Sequence, residues 1–265
     1  MEDEIDYALI TLAARAEEHR NPDSLFKDRR ALEWHSSMVD QGILPRNATL
    51  NPIIQAGIAL RTVFFDYAVL SHVNRRPQEA ARVYELGCGY STRPYRLRSL
   101  PATWINVDKP DVMKMRKELP GIASWYEINL SADLEDYDFT TLGEDRLMDA
   151  IFVFEGVLTY MPLEKVQRMF DRLRDRFPGS FVVGTAALTG RLSDPLPVKW
   201  TVENVQEIED QLGVDIKNAC RLNELSHRFG FKMAVKLPAS GYIWVGTLRY
   251  TAEQAAEIEE ATRFL

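Results

Sequence analysis

Apolar residues recur at helical spacing through the first part of the chain, before any strand-like run appears. The repeat extends from Ile5 to His19, from Leu25 to Val39 and, after Asn51-Pro52, to Val73. Side chains spaced by three and four residues share one face of a helix, so this pattern predicts three helices. We expect residues 1–80 to form a helical cap that covers one edge of a sheet and its mouth.

From Arg82 onward, short apolar runs alternate with amphipathic segments, which is the pattern of a parallel sheet covered by helices on both faces. The predicted strands are Arg82–Leu86, Thr103–Val107, Ser124–Ile128, Ala150–Phe154, Ser180–Val183, Phe231–Val235 and Tyr242–Leu248. The predicted helices between them include Pro110–Leu119, Leu163–Phe177 and Ala219–Phe229. The run Ala150–Phe154 has no polar residue, as expected of a central strand that is buried on both faces.

The last two strand-like runs lie close together in the chain and predict a terminal antiparallel hairpin. The expected fold is therefore α/β: a Rossmann-like, mostly parallel sheet of seven strands that ends in this hairpin and is preceded by the helical cap. Residues 81–265 would form the core of a single compact unit. An irregular insertion near residues 186–213, which contains Pro195, Pro197 and Trp200, would lie over the site.

Two glycines separated by one residue follow the first predicted strand. Gly87 would allow a tight turn with a positive φ angle, and Gly89 would remove a Cβ where a ligand approaches the backbone. Asp108 ends the second strand, 21 residues after Gly87, where a carboxylate can accept hydrogen bonds from both hydroxyls of a ribose. The sequence therefore predicts a nucleoside-binding crevice. A dinucleotide site requires a third glycine where this chain has Thr92, so the pattern favours S-adenosylmethionine over NAD.

Composition and charge restrict the classes of partner. The 265 residues carry a net charge of −7 and a pI near 5.3, which argues against a nucleic-acid backbone or an anionic membrane as the main partner. Cys88 and Cys220 cannot form a disulfide framework, and the four histidines show no metal-ligand spacing. No apolar run approaches the ~20 residues that a membrane span needs, and the acidic start lacks the features of a signal peptide. We expect a cytoplasmic protein without a metal ion.

Four ordered motifs resemble those of a known family. The run Glu85–Leu97, ELGCGYSTRPYRL, is similar to the E-L-G-x-G-x-x-T-R-x-Y-R-L signature of the leucine carboxyl methyltransferases. Arg61–Asp66 resembles the family's R-T-x-x-(F/L)-D, Trp104–Pro110 its W-x-x-x-D-x-P, and Glu155–Met161 its E-G-x-L-x-Y-L. The family includes bacterial polyketide O-methyltransferases of the tetracenomycin type, and the resemblance covers about residues 51–185. It implies a class I methyltransferase fold, which has a terminal antiparallel hairpin, and S-adenosylmethionine as the cofactor.

The resemblance assigns roles to the residues that carry these motifs. Arg61 would bind the carboxylate of the methionine moiety through its fork of N–H donors, although a solvated helix arginine is the structural alternative. Gly87 and Gly89 would line the methionine and the ribose, and Asp108 would bind the ribose hydroxyls. Glu85 belongs to the same cofactor-binding set.

Further positions after the third and fourth strands extend this site. Glu155 follows the fourth strand, where ligands bind in open α/β sheets, although a carboxylate there can also accept hydrogen bonds from the amides that follow. The family has Asp-Leu after the third strand, where the acid contacts the amino group of adenine. This chain has Asn129-Leu130, whose amide can still accept that hydrogen bond, and Asp133 nearby could substitute. Tyr160 is the catalytic candidate, with a core tyrosine as the alternative.

Arg93 and Arg96 follow the glycine loop and allow two interpretations. They would either anchor the loop through carboxylates or lie on the surface of a helix as solvated charges.

The implied reaction is an in-line transfer of a methyl group from the sulfonium sulfur to an oxygen of the acceptor. The sulfonium is already activated, so positioning and exclusion of water would be the main tasks of the protein. A carboxylate acceptor is ionised near pH 7 and needs no base, whereas a phenol with a pKa of about 10 would benefit from one. No histidine falls in a site motif, and His35 is the best candidate if a base exists. The sequence therefore favours carboxyl methylation.

The expected acceptor is a small molecule with a carboxylate or hydroxyl group, such as an aromatic polyketide, contacted by the helical cap and by residues 186–213. Three alternatives stay open at this point. They are methylation of a protein C-terminus, an NAD-dependent oxidoreductase, and a non-catalytic interaction protein that keeps the fold, to which the departure at Asn129 would point.

Overall fold

The computed structural model describes residues 2–45, 50–76, 81–121, 127–139, 150–190, 198–228, 230 and 236–262. Its helices are α1 (Glu2–Arg20), α2 (Arg29–Asp40), α3 (Pro52–Asn74), α4 (Arg93–Arg96), α5 (Pro110–Lys117), α6 (Leu163–Arg176), α7 (Val205–Leu212), α8 (Leu225–Arg228) and α9 (Ala252–Thr262). Its strands are β1 (Ala81–Leu86), β2 (Ala102–Asp108), β3 (Glu127–Ser131), β4 (Ala150–Phe154), β5 (Phe181–Leu188), β6 (Thr201–Val202), β7 (Val214–Arg221) and β8 (Gly241–Leu248).

The strands form one sheet with the order β3-β2-β1-β4-β5-β8-β7, and β6 pairs with the end of β5. Strands β3, β2, β1, β4 and β5 run parallel, whereas β8 is antiparallel to both β5 and β7. The predicted fold, a mostly parallel sheet with antiparallel strands at one end, is confirmed.

Strand β4 has its two faces in two different cores. Phe152 and Phe154 pack with residues of α6, including Phe170, whereas Ile151 and Val153 pack against α3. Because successive side chains of a strand point to opposite faces, both sets of positions must be apolar. The uninterrupted apolar run in the sequence therefore has a direct structural cause.

The prediction for the end of the chain was partly wrong. Ala219–Phe229 was predicted to be a helix, but residues 214–221 form β7, and a short turn and α8 follow it. The register of β7 against β8 shifts between Ile216 and Asn218, so the strict alternation that would have revealed a strand is broken. The predicted hairpin partner Phe231–Val235 lies outside the described residues, and β8 pairs instead with β5 and β7.

Helix α3 also corrects an expectation. It is long and apolar enough, by length and composition alone, to cross a membrane, although the sequence was expected to contain no such stretch. Half of its most apolar window is buried inside the protein, where Phe65 and Val69 pack on the sheet. A core helix between two packed layers is apolar around most of its circumference for this reason.

Helices α1 and α2 lie over the loops that follow β1 and β2. An apolar cluster joins them to the glycine loop and to α5; its buried members are Leu9, Leu12, Ala31, Trp34, Met38, Tyr90, Val112 and Leu119. The indole Nε1 of Trp34 donates to the carbonyl of Pro120 at 2.9 Å. The N-terminal helices thus form one wall of the region where ligands bind in open α/β sheets. The boundary predicted at residue 80 lies outside the described residues and stays a prediction.

Candidate functional site

A cavity of about 540 Å³ opens at the carboxyl ends of β1, β2 and β4. This volume is within the range of small-molecule sites. Its walls include α1 and α3, the glycine loop and the segments after β2, β3 and β4. Of the sequence-predicted site residues, the structure brings these to the cavity: Arg61, Glu85, Gly87, Gly89, Asp108, Glu155 and Tyr160.

The two glycines of the loop serve different purposes. Gly87 has a φ of 71°, and a Cβ there would lie 2.5 Å from Cγ2 of Val157, so only glycine fits. The predicted positive φ at Gly87 is confirmed. At Gly89, a Cβ would lie 3.2 Å from the Cβ of Ala8 in α1. The missing side chain lets α1 approach the loop here, and Gly89 also lines the cavity, so its role in making room for a ligand stays a prediction.

Asp108 is held by the backbone on both of its carboxylate oxygens. Oδ2 accepts from the amide of Gly89 at 2.6 Å, and Oδ1 accepts from the amide of Lys109 at 2.7 Å. Burial raises the pKa of this carboxyl group despite the two hydrogen bonds. A carboxylate has about four lone-pair sites, so each oxygen keeps capacity for a further donor. The glycine loop and the strand-end acid therefore meet as the sequence predicted.

An ion-pair chain runs along the wall between β1, β4 and α3. Nε of Arg61 lies 2.9 Å from Oε1 of Glu155, and the guanidinium of Arg93 contacts both Glu155 and Glu85. Burial acts to raise the pKa of Glu155, but Arg61, Arg93 and Arg15 outweigh it and hold this pKa at about 2. Glu85 and Glu155 are thus ionic partners of arginines as well as lining residues.

Within this set of ion pairs, one carboxylate oxygen of Glu85 lacks a hydrogen-bond donor among the described residues. Oε2 of Glu85 is buried and accepts no hydrogen bond from any described residue, although Glu85 lines the cavity. A buried carboxylate oxygen without a donor costs free energy unless a bound group supplies one. The cavity therefore suits a ligand with an ammonium or hydroxyl donor at this point.

Arg93 and Arg96 are buried anchors and not surface charges. Nε of Arg93 lies 2.9 Å from Oδ1 of Asp66, and Arg96 binds both oxygens of Asp66 at 2.6 and 2.8 Å. Arg96 also binds Oδ2 of Asp28 at 2.6 Å. Of the two interpretations left open by the sequence, anchoring of the glycine loop through carboxylates is the one that the structure shows.

The comparisons with known proteins agree with this geometry. The family model described as leucine carboxyl methyltransferase matches residues 8–174. The chain belongs to the leucine carboxyl methyltransferase family. This membership confirms the resemblance seen in the motifs and decides against the NAD-dependent oxidoreductase.

Curated relatives of this methyltransferase-family chain carry related names. One is the S-adenosyl-L-methionine-dependent methyltransferase dpfgK of Gibberella zeae, 28% identical over 66% of this chain and 62% of the relative. Another is the tetracenomycin polyketide synthesis O-methyltransferase TcmP of Streptomyces glaucescens, 30% identical over 68% of this chain and 64% of the relative. The matched region thus spans less than two thirds of each relative. The predicted cofactor is the one named for the Gibberella relative.

Solved structures show the same fold at low sequence identity. A putative methyltransferase from Thermobifida fusca superposes with a TM-score of 0.57 at 15% identity, covering 89% of this chain and 94% of that one. Magnesium protoporphyrin IX methyltransferase from Synechocystis, solved with S-adenosylmethionine bound, gives a TM-score of 0.53 at 13% identity, covering 85% and 99%.

The structure does not bring Asn129 and Leu130 to the cavity. Strand β3 continues to Ser131, so Asn129 lies inside the strand, where its Oδ1 accepts from Nδ2 of Asn106 at 3.1 Å. The assignment of this pair to the cofactor is therefore corrected. The segment that lines the cavity after β3 is Ala132–Glu135, which includes Asp133, the residue considered as a substitute.

Tyr160 lies in a short 3₁₀ turn after β4, and its ring stacks on that of Tyr7 from α1. The ring centroids are 5.5 Å apart and the planes differ by 17°. Burial raises the pKa of the Tyr160 hydroxyl, which therefore stays protonated at neutral pH and can donate a hydrogen bond. A catalytic role for Tyr160 stays a prediction.

Sequence reasoning missed Arg15. It lies inside α1 with only 4% of its surface exposed, it lines the cavity, and its Nη2 donates to the carbonyl of Tyr90 at 2.8 Å. Burial and the nearby Arg96 lower its pKa to about 10, so it remains charged at neutral pH. A single arginine within an apolar helical repeat carries no signal of its own in one sequence.

Two further expectations about the acceptor region are not supported by the geometry. His35 lies on α2 and is not among the described residues that line the cavity. Of residues 186–213, only Ala186 and Ala187 among those described line either of the two main pockets, and they line the smaller one. This smaller pocket, of about 120 Å³, shares Arg61, Gly156 and Tyr160 with the cavity.

Because of Glu155, we expect the free energy of unfolding to depend on pH. Its pKa lies near 2 in the folded chain against 4.5 as the ordinary value, so its ionised form stabilises the fold above about pH 4.5. This contribution, on the order of 3 kcal/mol, is lost as the pH falls from 4.5 towards 2. Urea unfolding of wild type and Glu155→Gln should show a stability gap that is large at pH 6 and smaller at pH 3. A gap that stays constant would contradict the assignment. As a control, Glu33→Gln, which breaks two surface ion pairs on α2, should show little gap at either pH.

Proposed function

We propose that this chain is an S-adenosylmethionine-dependent O-methyltransferase that acts on a carboxylate of a small, largely apolar metabolite, such as an aromatic polyketide. A hydroxyl acceptor is the second form of the same reaction, and a cytoplasmic location belongs to the proposal. The observation that carries it is the convergence on one cavity of the glycine loop, Asp108 and the Arg61–Glu155 pair.

The residues of the cavity fit the donor. Arg61 and Arg15 would hold the methionine carboxylate, and Oε2 of Glu85 would accept a hydrogen bond from the adjacent ammonium group. Asp108 would bind the ribose hydroxyls, and residues 132–135 would border the adenine. When bound, the donor supplies a methyl group on a sulfonium sulfur, which is already activated for transfer. The chain's own residues then position the two reactants and exclude water.

The wall formed by α1, α3 and the turn after β4 is suited to a flat apolar acceptor. The side chains of Tyr7, Ile54, Ile58 and Tyr160 line it, and two of them are stacked rings. Aromatic rings pack well against such side chains.

The ionisable groups near this wall favour an acceptor that is already ionised. Glu155, with a pKa of about 2, is a weak base, and the raised pKa of Tyr160 makes it a hydrogen-bond donor. A carboxylate needs no proton removed before it attacks the methyl group, whereas a phenol does. Tyr160 would orient the carboxylate by donating to its second oxygen.

Methyl transfer to paired acceptors tests the proposal. Purified protein is incubated with labelled donor and with aromatic acids, the matching phenols, and a short peptide with a free C-terminal carboxylate. We expect an aromatic acid to give a labelled product. Mild base should hydrolyse this product, because it hydrolyses a methyl ester and leaves an aryl ether intact. Transfer to the peptide alone would favour a protein acceptor, and binding of S-adenosylhomocysteine without any transfer would favour the non-catalytic alternative.

Tyr160→Phe gives a narrower test of the same site. Loss of the hydroxyl should lower kcat/KM for methyl transfer about tenfold while donor affinity changes little, because one hydrogen bond to a charged group is removed. The matched control is Tyr67→Phe on the exposed face of α3, which should leave kcat/KM unchanged. Equal rates for wild type and Tyr160→Phe would remove the hydroxyl from the mechanism.

A further inference from the structure

Asp28, in the loop between α1 and α2, is a buried carboxylate with several partners at the junction of the cap with the glycine loop. It is 1% exposed and caps α2, with Oδ1 accepting from the amide of Ala31 at 2.9 Å. Oδ2 accepts from Oγ1 of Thr92 at 2.5 Å and from Nη1 of Arg96 at 2.6 Å. A helix cap needs only the first of these contacts, so the others call for a different explanation.

Arg15 is a second cation beside this carboxylate. Nε of Arg15 lies 3.7 Å from Oδ2 of Asp28, and its Nη2 is held by the carbonyl of Tyr90 in the glycine loop. Arg15 lines the cavity, and its positive charge helps to lower the pKa of Glu155, which is another lining residue. Arg15 is thus connected to Asp28 on one side and to the proposed donor site on the other.

Two buried guanidinium groups converge on a single oxygen. Both Arg15 and Arg96 approach Oδ2 of Asp28, and the charge of Arg96 acts to lower the pKa of Arg15. Asp28 is the carboxylate that both guanidinium groups approach, whereas Arg96 has Asp66 as a further partner. Without the charge of Asp28, Arg15 would face Arg96 in a buried setting and would be driven away from its position against Tyr90.

We propose that Asp28 is a positioning residue that sets donor affinity by holding Arg15 in the wall of the cavity. Asp28 itself does not line the cavity. It acts through Arg15. Its contacts with Thr92 and Arg96 also fix Asp28 to the loop that follows β1. This inference rests on the proposed function, because donor affinity is the property that Arg15 would control.

The test is a double-mutant cycle on S-adenosylhomocysteine binding, measured by titration calorimetry at fixed salt. Asp28→Asn keeps the shape and the capping oxygen but removes the charge, and we expect the Kd to rise about tenfold. Arg15→Met should raise the Kd by at least as much. The double variant should bind no more weakly than Arg15→Met alone, because Asp28 acts through the residue that is already gone.

A matched control separates positioning from stability. Asn204 does not line the cavity and caps α7, with its side chain accepting from the amide of Glu207 at 3.1 Å. Asn204→Ala should lower the melting temperature and leave the Kd unchanged. If Asp28→Asn fails to fold, Arg15→Lys keeps the charge without the fork of donors, and it should still raise the Kd about fivefold.

The outcomes are distinct. Additive losses in the double variant would overturn the positioning role while leaving the proposed function intact. Wild-type affinity in the Asp28→Asn variant or in the Arg15→Lys variant would have the same consequence. A wild-type protein that shows no binding of S-adenosylhomocysteine would overturn both.

Discussion

Replacing Asp108 with alanine is expected to weaken S-adenosylhomocysteine binding about 100-fold, because charge-assisted hydrogen bonds to two ribose hydroxyls are lost. The same change removes the acceptor for the amides of Gly89 and Lys109, so the glycine loop also loses its anchor on β2. Titration calorimetry and a ligand-induced shift in melting temperature measure the effect.

Asp111 provides the matched control for this carboxylate. It also lines the cavity, but it is exposed at the start of α5. Asp111→Ala should change the Kd by no more than about threefold, because an exposed charge is screened by solvent. Equal losses at the two positions would show that general cavity charge, and not the ribose contact, governs affinity.

Gly87→Ala is expected to destabilise the fold by about 3 kcal/mol and to abolish donor binding. The residue has a φ of 71°, which costs an L-residue ~1 kcal/mol, and the new methyl group would lie 2.5 Å from Cγ2 of Val157 and 2.8 Å from its Cβ. Neither neighbour is a flexible chain end. Urea unfolding measures the stability, and calorimetry measures the binding.

Two variants separate the backbone cost from the clash. Gly190 has a φ of 67°, and no described residue lies within 4 Å of the position that a Cβ would take there, so Gly190→Ala should cost only ~1 kcal/mol. In a Val157→Gly background, the contacting atoms are gone. Gly87→Ala should therefore cost less stability in that background than it does in the wild-type protein. A Gly87→Ala variant no less stable than Gly190→Ala would contradict the tight loop.

The sequence predicted those parts of the site that depend on short stretches of chain. Gly87 follows an apolar strand and Asp108 ends the next, and two adjacent parallel strands necessarily bring their carboxyl ends together. The uninterrupted apolar run of β4 likewise reported that both of its faces are buried. In each case one local pattern has a single structural solution.

The errors arose where local patterns are ambiguous. A β-bulge in β7 gave its apolar residues a spacing that resembles a helix, and the third strand ends at Ser131, so the Asn129 side chain is inside the sheet and not at its edge. Counting residues from a motif cannot place a strand end to within two positions, and two positions decide whether a side chain faces a ligand.

What the sequence alone determined is the α/β class, the family, the glycine loop and the acid that meets it, because each is encoded by residues near one another in the chain. Only the tertiary structure decided which charges are paired. Arg61 and Glu155 are 94 positions apart, and Arg96 and Asp28 are 68 apart. Whether an arginine is a solvated surface charge, a buried anchor or a wall of the site depends on which carboxylate the fold brings within hydrogen-bond distance, and that distance is not written in any one segment.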